Sequence, residues 1–176
     1  MNTQPSASSA QVLPNPRLVR TTHDANGTSI FASDETVTPF HPFGPENTGF
    51  SIFDTRPSVP VSNTDPVSVP VNAIPRCAPG GTLFAVSDFP PHYSAPMHRT
   101  VTIDYAVVLS GEIVLLLDGG EEKTLRVGDM LVQQGVNHEW CNRGDVPCRV
   151  LFVLVSAKKV VLADGRALEE TVIVKR

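Results

Sequence analysis

Pro96-Met97-His98-Arg99-Thr100-Val101-Thr102-Ile103-Asp104-Tyr105-Ala106-Val107-Val108-Leu109-Ser110-Gly111 alternates in a way that decides how the chain must fold. His98, Thr100, Thr102 and Asp104 share one parity, and Val101, Ile103, Tyr105 and Val107 share the other. Successive side chains of a strand point to opposite faces, so the stretch predicts a strand with one polar, ionisable face and one apolar face. A carboxylate turned into a fold is costly to desolvate unless something pairs with it. The available partners are a histidine, a metal ion or a bound substrate.

Gly128 to Asn142 supplies the answering half. It reads as a strand, a tight turn at Gly135 and a second strand on which His138, Trp140 and Asn142 share parity. If both stretches belong to one β-barrel, His98, Asp104 and His138 converge.

These two stretches resemble the paired motifs of the cupin family, a small antiparallel barrel of jelly-roll type. The first motif is represented by His98, Thr100, Asp104 and Gly111, and the second by Gln133, Gly135, His138 and Asn142. The spacing fits throughout. Three residue types depart from the family pattern: Thr100 stands where a second histidine is usual, Asp104 replaces glutamate, and Gln133 replaces proline. The resemblance covers residues 82–156. It implies an all-β fold, a single jelly-roll barrel with N-terminal strands and loops wrapping it, but it names no reaction, because one fold hosts many chemistries.

Elsewhere the chain divides by composition. Residues 1–16 are rich in Ser, Gln, Pro and Asn and are expected to form a flexible tail. Residues 17–81 are expected to begin with a hairpin, strand 17–22 turning at Asp24–Gly27 into 28–31, and to continue as a proline-rich segment that wraps the barrel. Residues 82–156 make the barrel core, and 157–176 a closing hairpin. The last strong strand, 149–155, is apolar on both faces. A strand of that kind is covered on both sides, which predicts that the N-terminal segment or a second subunit of a homodimer lies over the barrel.

A chain of 176 residues with 41% hydrophobic and 18% charged residues suits one domain with a real core. Its net charge of −4 gives no basic footprint for nucleic acid or an anionic membrane. No stretch reaches the roughly 20 apolar residues of a membrane span. The polar N-terminus carries no apolar signal region, and the three cysteines, Cys77, Cys141 and Cys148, have no paired spacing. Both features lead to the expectation of reduced thiols in a cytoplasmic setting.

The resemblance implies a divalent ion (Fe, Zn, Mn or Ni) held by His98, Asp104 and His138, the two-imidazole, one-carboxylate set that leaves positions open for substrate or oxygen. Thr100 either opens a further position or weakens the set. The same residues also allow a buried acid–base pair with no metal, catalytic or structural. Thr100, Thr102, Gln133 and Trp140 are expected to line the substrate cavity, and Arg99 and Tyr105 to face away from it. Small cupins of this kind are described in secondary-metabolite pathways as oxidoreductases, decarboxylases or dehydratases. The expected function is therefore a metal-dependent oxidoreductase or lyase acting on a small oxygenated, aromatic or polyketide-like metabolite. The alternatives are a metal-free acid–base catalyst and a small-molecule binding protein.

Overall fold

The computed structural model describes residues 12–67 and 69–171. Most of the tail expected over 1–16 and the end of the C-terminal segment lie outside the described residues. All regular structure among the described residues is β. β1 (Arg17–His23) and β2 (Ser29–Thr36) form the expected hairpin, tightened at its turn by the Asp24 carboxylate, which accepts from the amides of Asn26 and Thr28. β3 (Gly49–Arg56), β4 (Thr82–Phe89), β6 (Thr102–Ser110), β9 (Met130–Gln134) and β11 (Cys148–Ser156) build a five-stranded antiparallel sheet in the order β3-β4-β11-β6-β9. β5 (Tyr93–Ser94), β7 (Glu112–Leu117), β8 (Glu122–Arg126) and β10 (His138–Asn142) build a second sheet in the order β5-β10-β7-β8.

The two sheets pack face to face around one apolar core. Leu83, Ile113, Val108, Val150 and Cys148 are almost wholly buried there. Gly111, joining β6 to β7, adopts φ +71°, and a Cβ at this position would sit 2.7 Å from the Pro147 carbonyl oxygen. Backbone handedness and close approach both require glycine here.

The chain around His98 differs from a single continuous strand. His98 is bridged to His138 of β10, in the smaller sheet, whereas β6 begins only at Thr102 and belongs to the larger one. Residues 99–101 carry the chain from one sheet to the other. The alternating polarity persists because both segments face the same interior. β9 and β10 likewise lie in different sheets, so the Gly135 turn (φ +57°) links the sheets instead of closing a hairpin.

β11 is not apolar on both faces along its whole length. Arg149 is buried and makes a two-pronged ion pair with Asp88, Nε–Oδ1 and Nη2–Oδ2 both 2.6 Å. Its Nη1 donates to the Pro14 carbonyl at 2.8 Å, fastening the N-terminal segment over that end of the sheet. Toward β6 and β9 the outer face stays open, with Met130 81% and Val132 61% exposed beside Tyr105 and Leu109. The closing segment forms one bridge, Val161 to Ala167, and no strand or helix over 157–171. The three cysteines are free thiols.

Asn142 ties the end of β4 to the loop between β10 and β11. Its Nδ2 donates to the carbonyls of Phe89 and Val146 at 3.0 and 2.9 Å, and its Oδ1 accepts from the Gly144 amide at 3.0 Å. Removing a buried hydrogen-bonding partner costs about 1–3 kcal/mol, because the groups left behind stay desolvated. Asn142→Ala is expected to lower unfolding free energy by about 2 kcal/mol in urea titrations. A loss under about 0.5 kcal/mol, the level of an ordinary surface change, would contradict this role.

Candidate functional site

A cavity of about 280 Å³ opens between the sheets. His98, Thr100, Thr102, Asp104, His138 and Trp140 line it. Gln133 is also buried, at 4% exposure, but lies behind the cavity wall, across from Asp104 in the β6–β9 register. Arg99 turns away: its Nε donates to the Gly135 carbonyl at 3.0 Å and it reaches toward Asp118. Tyr105 sits on the outer face, half exposed. His92 lies against Asp145 at 3.1 Å, outside the cavity.

The two imidazoles are held together by backbone. His98 N donates to His138 O at 2.8 Å and His138 N to His98 O at 2.9 Å, leaving the rings 4.3 Å apart between centroids. Each ring is oriented through Nδ1, which donates to a carbonyl: Pro96 O at 2.8 Å for His98 and Val136 O at 3.0 Å for His138. A carbonyl only accepts, so Nδ1 carries the proton in both rings and Nε2 carries the lone pair. His98 Nε2 makes no hydrogen bond to a described residue, and the ring lines the cavity. His138 Nε2 accepts from Gln133 Nε2 at 3.2 Å.

Asp104 is tied on both oxygens. Thr102 Oγ1 lies 2.5 Å from Oδ1, and Gln133 Nε2 donates to Oδ2 at 3.2 Å. Thr102 Oγ1 is also 2.8 Å from Thr100 Oγ1. With one hydroxyl proton, Thr102 can donate to only one of these neighbours. Donation to the carboxylate leaves it accepting from Thr100. The Gln133 amide thus spends its two N–H groups on Asp104 and His138, which brings those side chains within two hydrogen-bond lengths of each other.

Burial governs the electrostatics. It is the main cause of the raised pKa of Asp104, with the Thr102 and Gln133 hydrogen bonds working against it. Burial is likewise the main cause of the lowered pKa of His98. His138 is pushed down to about 4, first by burial and then by its neighbour His98. Both imidazoles are therefore neutral near pH 7.

The donor set differs from the three-ligand arrangement the resemblance implies. Among the described residues no group of three or more His, Cys, Asp or Glu side chains is placed to hold a metal ion. The Asp104 carboxylate and the His138 lone pair are both taken up by the N–H groups of Gln133 Nε2. As arranged, the residues do not fit a three-ligand ion.

Sequence reasoning missed the upper walls. Phe43, Phe50 and Ile74 close the cavity with Phe152 and Leu154, and Cys77 borders it. At the mouth Arg76 faces Glu170 at 3.7 Å, joining the proline-rich segment to the C-terminal one. Phe50 lies in β3 and Phe152 and Leu154 in β11, whereas Phe43, Ile74, Arg76, Cys77 and Glu170 lie in loops and carry no periodic pattern that would assign them. Trp140, the chain's sole tryptophan, packs edge-on to His138 and to Phe152.

Residues 85–154 match the cupin domain family. The chain is 32% identical over 170 residues to the cupin-domain-containing oxidoreductase virC of Hypocrea virens, spanning 90% of this chain and 88% of that protein. It is 37% identical over 156 residues to phomopsin biosynthesis cluster protein C' of Diaporthe leptostromiformis, spanning 84% and 82%. Among solved structures, the cupin domain of Schizosaccharomyces pombe Cnp3 aligns with a TM-score of 0.49 at 13% identity, over 80% of this chain and 87% of that one.

The lowered histidine pKa values set a pH dependence. A histidine whose folded pKa lies below its unfolded value stabilises the fold fully above the unfolded pKa, and that stability is lost as pH falls through the folded one. For His138 the window runs from 6.5 down to about 4. Unfolding free energy is expected to fall by on the order of 2–3 kcal/mol across it. His138→Asn should flatten that slope in denaturant titrations at stepped pH. An unchanged slope would place the acid sensitivity elsewhere.

Proposed function

The chain belongs to the cupin family, and on that footing we propose that it is an enzyme of small-metabolite biosynthesis whose His98 transfers a proton to or from a largely apolar, oxygenated substrate. One observation carries this reading. His98 Nε2 is the one imidazole lone pair of the pair with no hydrogen bond to a described residue, in a ring that lines the cavity and is kept neutral by burial. A neutral imidazole with its other nitrogen anchored is a competent general base.

The cavity suits the proposed ligand. Its walls are largely aromatic and aliphatic, and beside the two histidines the Thr100 and Thr102 hydroxyls would orient a carbonyl or hydroxyl oxygen. Trp140, Phe89 and Phe152 form adjacent ring contacts that favour a flat ring or a conjugated chain. The names of the relatives support the class oxidoreductase: virC and fogC of Aspergillus ruber are both called cupin-domain-containing oxidoreductases. To such a reaction the residues described here contribute the proton half, at a C–H or O–H beside the oxygenated carbon. A second reading, an isomerase or dehydratase with no net redox change, draws on the Gln133 arrangement, which links a carboxyl group and an imidazole through one amide. We also read the open outer face at Met130, Val132, Tyr105 and Leu109 as the contact for a second copy of the chain.

Candidate oxygenated aromatics and enones are to be titrated while following the fluorescence of the single tryptophan, which borders the cavity. Those that bind are then incubated with the protein in D₂O. Deuterium is expected to enter a C–H position next to the oxygenated carbon, and His98→Gln should slow this on the order of 10²- to 10⁴-fold with binding kept. Exchange that is indifferent to His98→Gln would sink the reading. Sedimentation of the wild type against Val132→Lys tests the second-copy contact: a dimer that dissociates in the variant supports it, and a monomeric wild type removes it.

A further inference from the structure

The three positions where this chain departs from the family pattern, Thr100, Asp104 and Gln133, belong to one connected system. Gln133 is nearly inaccessible, yet its Oε1 has no hydrogen-bond partner among the described residues. Leaving a buried amide oxygen unpaired is unfavourable, because the group gives up its water without gaining a partner. An apolar side chain of similar size would avoid that cost. What the amide supplies instead is two N–H groups, one to Asp104 Oδ2 and one to His138 Nε2, each at 3.2 Å.

A protein-bound divalent ion needs lone pairs directed at one point roughly 2.0–2.2 Å from each donor. Here the lone pair of His138 is directed at an amide proton, and so is Oδ2 of Asp104. Oδ1 is taken by the Thr102 hydroxyl. Thr100 presents a neutral hydroxyl already engaged with Thr102. Of the nitrogen and carboxylate donors, only His98 Nε2 remains, and one imidazole does not make a metal site.

We propose that in this chain the Gln133 amide takes the place of the metal ion, joining Asp104 to His138 so that the cupin centre works as a metal-independent hydrogen-bonded unit running Thr100–Thr102–Asp104–Gln133–His138. Gln133 is then a positioning residue. It fixes the His138 ring from the side opposite its backbone anchor. The inference concerns the same site as the proposed function, but it does not depend on which substrate is turned over.

The test is metal binding by the full chain, purified without metal-affinity resin and dialysed against chelator. Elemental analysis is followed by calorimetric titration with Zn²⁺, Ni²⁺ and, without oxygen, Fe²⁺. The wild type is expected to hold well under one ion per chain, with no saturable site that depends on His98 or His138. Thr100→His combined with Gln133→Glu restores nitrogen and carboxylate donors and is expected to bind one Zn²⁺ at least about tenfold more tightly, with a rise in melting temperature on adding Zn²⁺ that the wild type lacks. The single variant Gln133→Glu, which frees His138 and adds a carboxylate, gives the same comparison should the double variant fail to fold. Near-stoichiometric metal in the wild type, lost in His138→Ala, would overturn the inference. So would Zn²⁺ affinity in the wild type equal to that of the variants. The two readings separate cleanly. Metal-loaded protein whose proton exchange still requires His98 would refute the inference and leave the function standing, whereas metal-free protein with exchange indifferent to His98 would do the reverse.

Discussion

Two backbone hydrogen bonds exchanged between His98 and His138 hold the site in being. They tie a segment that has not yet entered β6 to the first residue of β10, and so they join the two sheets at the point where the chain passes between them. Because an antiparallel bridge fixes both residues at once, the imidazoles are set side by side before any side chain interacts. The Nδ1 anchors to Pro96 and Val136 then fix the ring orientations, again through backbone. Little of the geometry depends on flexible groups, which suits a centre whose partners must stay within a hydrogen-bond length.

Placed this way, the two rings become chemically unequal. Both lose solvent, and both are neutral near pH 7. His138 is the more buried and has its remaining nitrogen taken by Gln133, whereas His98 borders the cavity with its lone pair unclaimed by a described residue. Asp104 sits one amide away and resists ionisation through burial. Such a graded set of neighbouring titratable groups is how a fold divides proton-handling duties among residues of similar type.

Much of the floor of the site was legible before any coordinates. Parity along 98–104 placed His98, Thr100, Thr102 and Asp104 on one face, and the two-motif spacing brought His138 and Trp140 to them. Arg99 and Tyr105 turned outward for the same reason. The position of Gln133 behind the wall was not legible, because it depends on the β6–β9 register, which no local pattern specifies. The break at residues 99–101 was also hidden, since alternation continues unchanged when a chain leaves one sheet for another facing the same interior. Phe43, Ile74 and Arg76 were beyond reach for a different reason: loops have no period to read. Arg149 interrupts a run that reads as apolar on both faces, and its pairing with Asp88 shows that a covering segment can be recruited by a buried charge as well as by oil.

Floor and rim come from different parts of the chain. The polar floor is made by barrel strands and the link between them, whose residues also serve the core or the sheet ladder. The rim is made by stretches on either side of the barrel, clasped at Arg76 and Glu170, where both side chains are about half exposed. Changes in the rim therefore cost little folding energy, while changes in the floor touch everything. A lineage built on this chain could retune which molecules it accepts by drifting along residues 42–47 and 73–79, leaving its reactive apparatus untouched.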